Sequence, residues 1–178
     1  MQATVLTEAA GTTTDDPTAF LCEYYQGQFG SVQNLIEGFP DAVETTVYFA
    51  DPSYGLADGS QSHAAVTSDS PVGSDEMVTQ AQSMLTDVVE ASDIVVILLT
   101  TDAFTQIMAP IWSDLVEGTQ SDAIWCLGTS RSALEGIDIA ALEDTVERVI
   151  TYRRRGVARI GIEQKEALYE AIADRLTE

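Results

Sequence analysis

Along the chain, short runs of apolar and β-branched residues alternate with stretches whose apolar positions recur every three or four residues. This is the pattern of strands and helices packed in layers. Five runs read as strands: residues 4–7 (TVLT), 45–50 (TTVYFA), 93–100 (DIVVILLT), 123–127 (AIWCL) and 148–152 (RVITY). The third is apolar at consecutive positions, so it belongs in a parallel sheet covered by helices on both faces. Asp16 followed by Pro17 predicts a cap and first turn, opening a helix with Phe20, Leu21, Tyr24 and Tyr25 on one side. Gly27 and Gly30 interrupt it before a second short helix carrying Val32, Leu35, Ile36 and Phe39. Met77, Ala81, Met84, Leu85 and Val88 form one helical stripe, and Phe104, Ile107, Met108, Ile111, Trp112 and Leu115 another that Pro110 divides.

Short helices are expected at 131–135 and 139–144, a hairpin turn at 153–156 returning through 157–160, and an amphipathic helix over 163–176. Residues 51–74 show no periodicity and read as a polar surface loop. The expectation is a single α/β domain spanning residues 1–178. It should be a three-layer, Rossmann-like fold with four to five mostly parallel strands and helices on both faces. In such sheets the ligand crevice lies beyond the carboxyl ends of the strands.

Charge changes the picture most. The 178 residues carry 29 acids against eight Lys and Arg, a net charge of −21, while 45% of positions are hydrophobic. That apolar fraction excludes an acidic disordered tail. The acids are spread along the whole length, with one lysine, Lys165, against seven arginines. Such a composition resembles the cytoplasmic proteins of salt-in halophilic archaea, in which molar salt shortens the Debye length to about 3 Å and relieves self-repulsion. Cys22 and Cys126 stand far apart without a CxxC pair, and they read as reduced, mostly buried small side chains. The opening MQATVLTEAAG has neither the basic nor the long apolar region of a signal peptide, and the run 94–99 is too short to span a bilayer. A cytoplasmic protein with no membrane contact is expected.

Within this acidic chain one stretch is cationic. RVITYRRRGVAR holds Arg148, Arg153, Arg154, Arg155 and Arg159 and no acid. Residues 1–147, by contrast, carry 24 carboxylates and one base, Arg131. Three readings stay open: a solvated face, an interface meeting acids on another subunit, and an anion site in which guanidinium forks hold phosphate or carboxylate. High salt weakens the last for a nucleic-acid backbone. Affinity falls with a slope of roughly −0.9 per phosphate contact in log–log terms, so nonspecific nucleic acid is not the expected partner.

The strand ends select the remaining candidates: 7–14, 51–54, 100–102 and 128–132. Gly128, Thr129, Ser130 and Arg131 precede a helix and read either as a cap or as an anion site together with Arg153, Arg154 and Arg155. Tyr54, Asp51 and Asp102 are further strand-end candidates. Neither a Walker loop, GxGxxG nor GxSxG is present, so no catalytic residue is assigned. His63, the only histidine, reads as an exposed loop residue, and one His with two distant Cys cannot form a zinc site. No cofactor is expected.

The order Val5-Leu6, a polar loop, Asp16-Pro17, Tyr24-Tyr25, Phe29 and then VYFADPSYGLADG resembles a small Rossmann-like family of uncharacterised microbial proteins. That family is similar in turn to the lysine-bearing domain of archaeosine synthase, an RNA-modifying enzyme. The resemblance covers residues 4–60, and Tyr54-Gly55-Leu56 is its best-matched piece. Where the family carries Cys and Lys, this chain reads EAAGTTT over residues 8–14. Chemistry that needs that lysine therefore has no residue here.

The functional expectation is a noncatalytic role exercised through a protein partner or self-association. The alternative is a binder or modifier of a phosphate-bearing ligand, a nucleotide or RNA element, at the arginine cluster. The charge predicts salt-dependent folding. Dialysis from about 1 M to about 0.1 M KCl lengthens screening from about 3 Å to about 10 Å. Far-UV circular dichroism and thermal melts should show loss of cooperative structure, and equal stability at both salt concentrations would refute the halophilic reading.

Overall fold

The structure, a computed structural model, describes residues 1–154 and 160–177. Six strands form one sheet: β1 (Gln2–Glu8), β2 (Glu44–Asp51), β3 (Gly55–Asp58), β4 (Ile94–Leu98), β5 (Ile124–Ser130) and β6 (Arg148–Arg154). Their spatial order is β3-β2-β1-β4-β5-β6. All neighbours run parallel except the β2–β3 hairpin at one edge. This α/β sheet has one strand more than the periodicity suggested. The addition, β3, lies inside the segment expected to be an unstructured loop, where Gly55 at φ 85° lets the chain reverse after β2.

The helices are α1 (Leu21–Tyr24), α2 (Phe29–Ile36), α3 (His63–Val66), α4 (Ser74–Val88), α5 (Thr101–Ile107), α6 (Trp112–Gly118), α7 (Arg131–Glu135), α8 (Ile139–Glu143) and α9 (Ile162–Thr177). Alternation along each strand sends side chains to opposite faces and splits the core in two. Leu6, Val95, Ile97, Trp125 and Leu127 pack under α4 to α8. Val5, Val47, Phe49, Val96, Cys126 and Ile150 pack under α1, α2 and α9. Each fully buried aliphatic or aromatic side chain here contributes roughly 1.5–3 kcal/mol. The two indole N–H groups are satisfied, Trp125 donating to Thr119 Oγ1 at 2.9 Å and Trp112 to the Asp138 carbonyl at 2.8 Å.

Several local expectations need correction. Asp16 does not cap a helix at Pro17: its carboxylate accepts from Thr18 N at 2.9 Å and Thr18 Oγ1 at 2.7 Å, closing a turn, and helix begins only at Leu21. One carboxylate oxygen takes both the backbone and the hydroxyl donor of Thr18, a local turn that is not continued into helix. Residues 51–74 contain β3 and α3 rather than a bare loop. Pro110 divides its helix as expected, with a tight turn over Ala109–Ile111 between α5 and α6. The hairpin expected over 153–160 falls largely on residues 155–159, outside the described residues. Among the described residues no helix is long and apolar enough to cross a membrane.

At the amino edge, one arginine gathers three strand starts. Arg175 of α9 reaches Asp93 at 3.1 Å, Asp122 at 2.6 Å and Glu147 at 3.7 Å, the acids that precede β4, β5 and β6. Asp93 also accepts from Gln2 N at 2.6 Å, bringing in β1. The Arg175 side chain is only 12% exposed and that of Asp93 23%. Arg175→Ala should therefore cost about 2–4 kcal/mol, below the range for a fully buried pair because two of the acids are solvated. Lysine should restore little, having no planar fork to serve several carboxylates. Chemical denaturation in molar KCl measures both, and an alanine variant within about 0.5 kcal/mol of the parent would remove the clamp from the account.

Candidate functional site

The five parallel strands end at one edge, and their order reverses between β1 and β4. Such a reversal opens a crevice where ligands bind in open α/β sheets. Here the crevice is bridged by Glu8, the last residue of β1. Its carboxylate accepts from Thr100 N at 2.5 Å and from Thr100 Oγ1 at 3.0 Å. Thr100 in turn caps α5, its hydroxyl accepting from Ala103 N at 3.4 Å. The bridge separates two clefts. One of about 110 Å³ lies against the start of α2 and is lined by Glu8, Ala10, Gln28, Phe29 and Thr100. The other, of about 290 Å³, is lined by Glu8, Asp51, Ser74, Thr100, Asp102 and Gln106.

The second cleft is acidic on three sides and has no cation in its lining. An anionic ligand entering it meets Glu8, Asp51 and Asp102 without a counter-charge. Two of these carboxylates are already engaged: Glu8 with Thr100, and Asp51 with Ser53, whose N lies 2.8 Å and Oγ 2.5 Å from Oδ1. Among the described residues no group of three or more His, Cys, Asp or Glu side chains is arranged to hold a metal ion.

The residues singled out from the sequence are distributed rather than gathered. Gly128, Thr129 and Ser130 continue β5 instead of forming a loop. Gly128 pairs with Leu98 in the ladder, and a Cβ there would lie 2.7 Å from the Leu98 side chain, so the glycine makes room for packing. Thr129 is fully buried, and its hydroxyl has no hydrogen-bond partner among the described residues. Ser130 caps α7, accepting from Ala133 N at 3.2 Å. Arg131 turns along that helix to Glu135 at 2.7 Å, both side chains largely exposed. Asp102 is exposed and lines the acidic cleft.

The ladder sets Arg153 opposite Thr129 and the Arg154 backbone opposite Ser130. Neither Arg153 nor residues 128–132 line either cleft beside Glu8, an apolar cleft at Trp112 or a further one at Phe20. Arg155 lies outside the described residues.

Two features escaped the sequence reading. The first is the Glu8–Thr100 bridge; its signal was the acid directly after the strand read over residues 4–7. The second is the position of β6 at the sheet edge. Among the described residues β6 pairs with β5 alone. Arg148 and Arg153 are exposed on it and take part in none of the ion pairs among those residues, which use Arg131 and Arg175.

With this geometry in view, comparison adds no relative: no protein-family model, curated protein or solved structure matches the chain.

Tyr54 has a structural partner. Its hydroxyl lies 2.8 Å from that of Tyr25, and both rings are buried. Burial pushes the Tyr25 phenol up to about 12, against a smaller lowering by its bond to Tyr54. Burial and then the bond to Tyr25 push Tyr54 higher still. Above about pH 10 the phenols of the unfolded chain ionise while the folded pair keeps its protons, so stability falls as pH rises from there towards 12. Tyr25→Phe leaves the Tyr54 hydroxyl buried without its partner and should cost about 1–3 kcal/mol, while replacing both tyrosines by Phe should cost less than that single change. Denaturation of the two variants checks this, and a costlier double variant would contradict it.

Proposed function

We propose that this is a noncatalytic, salt-adapted α/β protein of Rossmann-like layout that acts by binding a protein partner along β6. One observation carries the reading. In a chain of 29 acids, Arg148 and Arg153 stand exposed on an edge strand, outside the ion pairs formed among the described residues. Cations left unpaired in so acidic a molecule are available to carboxylates from outside it.

The phosphate-ligand alternative has less in its favour. Arg131 is engaged with Glu135, and the crevice where such a ligand would enter is lined by Glu8, Asp51 and Asp102. The likeness to the family related to the archaeosine synthase domain fits a noncatalytic role, because the segment 8–14 that corresponds to its Cys and Lys loop contains no cation.

Two measurements test the proposal. A photoreactive side chain placed at Arg148 should give protein adducts in molar KCl that disappear with Arg153→Glu. Nucleotides, pyrophosphate and short RNA should leave the melting temperature unchanged. Stabilisation by any of these phosphate compounds that is lost in Arg153→Glu would overturn the interaction reading in favour of the ligand one.

A further inference from the structure

We infer that β6 is a strand-addition site, and that its occupant is an extended peptide segment of another protein with acidic ends and a β-branched middle. This rests on the interaction reading above and specifies its partner. A strand at a sheet edge presents alternate N–H and C=O groups that its single neighbour does not use, and a peptide in extended form satisfies them. β6 is seven residues long, and among the described residues nothing pairs with its outer side. Its composition is graded: Arg148 at one end, Val149, Ile150, Thr151 and Tyr152 between, and Arg153 towards the other end. Ile150 is buried against α9, while Thr151 and Tyr152 are half-buried, so the middle of the strand is anchored and its two ends are charged and solvated.

Charge selects the occupant. Two copies joined antiparallel along the whole of β6 about a two-fold axis would pair Arg148 with Arg154. Like charges directly opposite are unfavourable, and each copy also brings a net charge of −21. Pairing β6 of one copy with β3 of the next offers only four residues and a contact that does not close. It is obstructed as well, because Leu56 N already donates to Gln80 Oε1 at 2.9 Å. An acidic segment, by contrast, meets a cation at each end of β6.

Arginines on an edge strand also serve elsewhere as guards against aggregation. In a chain this acidic, guarding needs no cation, since glutamate at the same positions would add to the repulsion between copies. Arginine there removes that repulsion at one strand only.

The test uses the intact protein in about 1 M KCl, where screening acts within about 3 Å. The probe is a fluorescein-labelled, terminally blocked peptide of the length of β6, alternating valine and threonine in its middle with two glutamates at each end. Fluorescence anisotropy should show saturable binding. Methylating alternate backbone nitrogens, which removes donors but no charge, should weaken it about tenfold or more. Arg148→Glu with Arg153→Glu should weaken it about threefold to tenfold. Equal binding of the methylated peptide, no binding of the parent peptide, or displacement of the peptide by a short RNA at lower concentration would each overturn strand addition. The methylated probe acts on the unmodified protein, so the conclusion does not depend on the double variant folding. Protein adducts from position 148 without peptide binding would defeat this inference alone, whereas Arg153-dependent stabilisation by phosphate compounds would defeat both.

Discussion

The amino edge of the sheet brings together acids that repel one another. Asp93, Asp122 and Glu147 each precede a strand, and the parallel arrangement of β4, β5 and β6 draws them to one side of the molecule. Arg175 makes that convergence tolerable. Because it sits in the last turn of α9, where a cation also suits the helix dipole, the same residue docks the final helix onto the sheet. Through Asp93 and Gln2 the effect extends to β1, the strand on which the order reverses. Added to the backbone ladders, this shared cation ties the starts of β1, β4, β5 and β6 to one helix.

The two edges of the parallel sheet are thus held differently. The amino edge is fixed by charge around a nearly buried guanidinium. The carboxyl edge is fixed by a neutral donor pair on a carboxylate, Thr100 with Glu8, which leaves clefts on either side. Among the described residues, one basic side chain, Arg175, serves the first, and the Glu8–Thr100 bridge uses none. The crevice that the topology creates has no cation in its lining, while Arg148 and Arg153 stand exposed on β6, outside the ion pairs formed among the described residues.

Much of the architecture was legible in the sequence, because it rests on β-branched runs and helical periodicity. The strand at 93–100 was recognisable by consecutive apolar residues, and it became β4, buried throughout as a middle strand of a two-faced sheet must be. What escaped notice depended on tertiary context. β3 is four residues long, with half-buried Leu56 and Asp58 alternating with buried Gly55 and Ala57, too brief for a period to register. Asp16-Pro17 has the local chemistry of a helix start, yet Thr18 captures the carboxylate. The strand read over 123–127 runs on through 128–130, because in the sheet Gly128 leaves the room that the Leu98 side chain needs beside it. No local pattern marks Arg175 as different from Arg148; only the meeting of three distant strand starts does. Arg131 illustrates the opposite error, a cation that looked available until its own helix supplied Glu135.

The two ends of the sheet also differ, and the difference bears on stoichiometry. At one end β3 is short and turned antiparallel, and its outward N–H at Leu56 is held by the side-chain amide of Gln80, which reaches across from α4. At the other, β6 is long and straight in register with β5 over seven pairs. A molecule closed at one end of its sheet can accept an added strand only at the other. Under the strand-addition inference, complexes through the sheet would be finite, one segment to one molecule, a docking edge without a route to fibres.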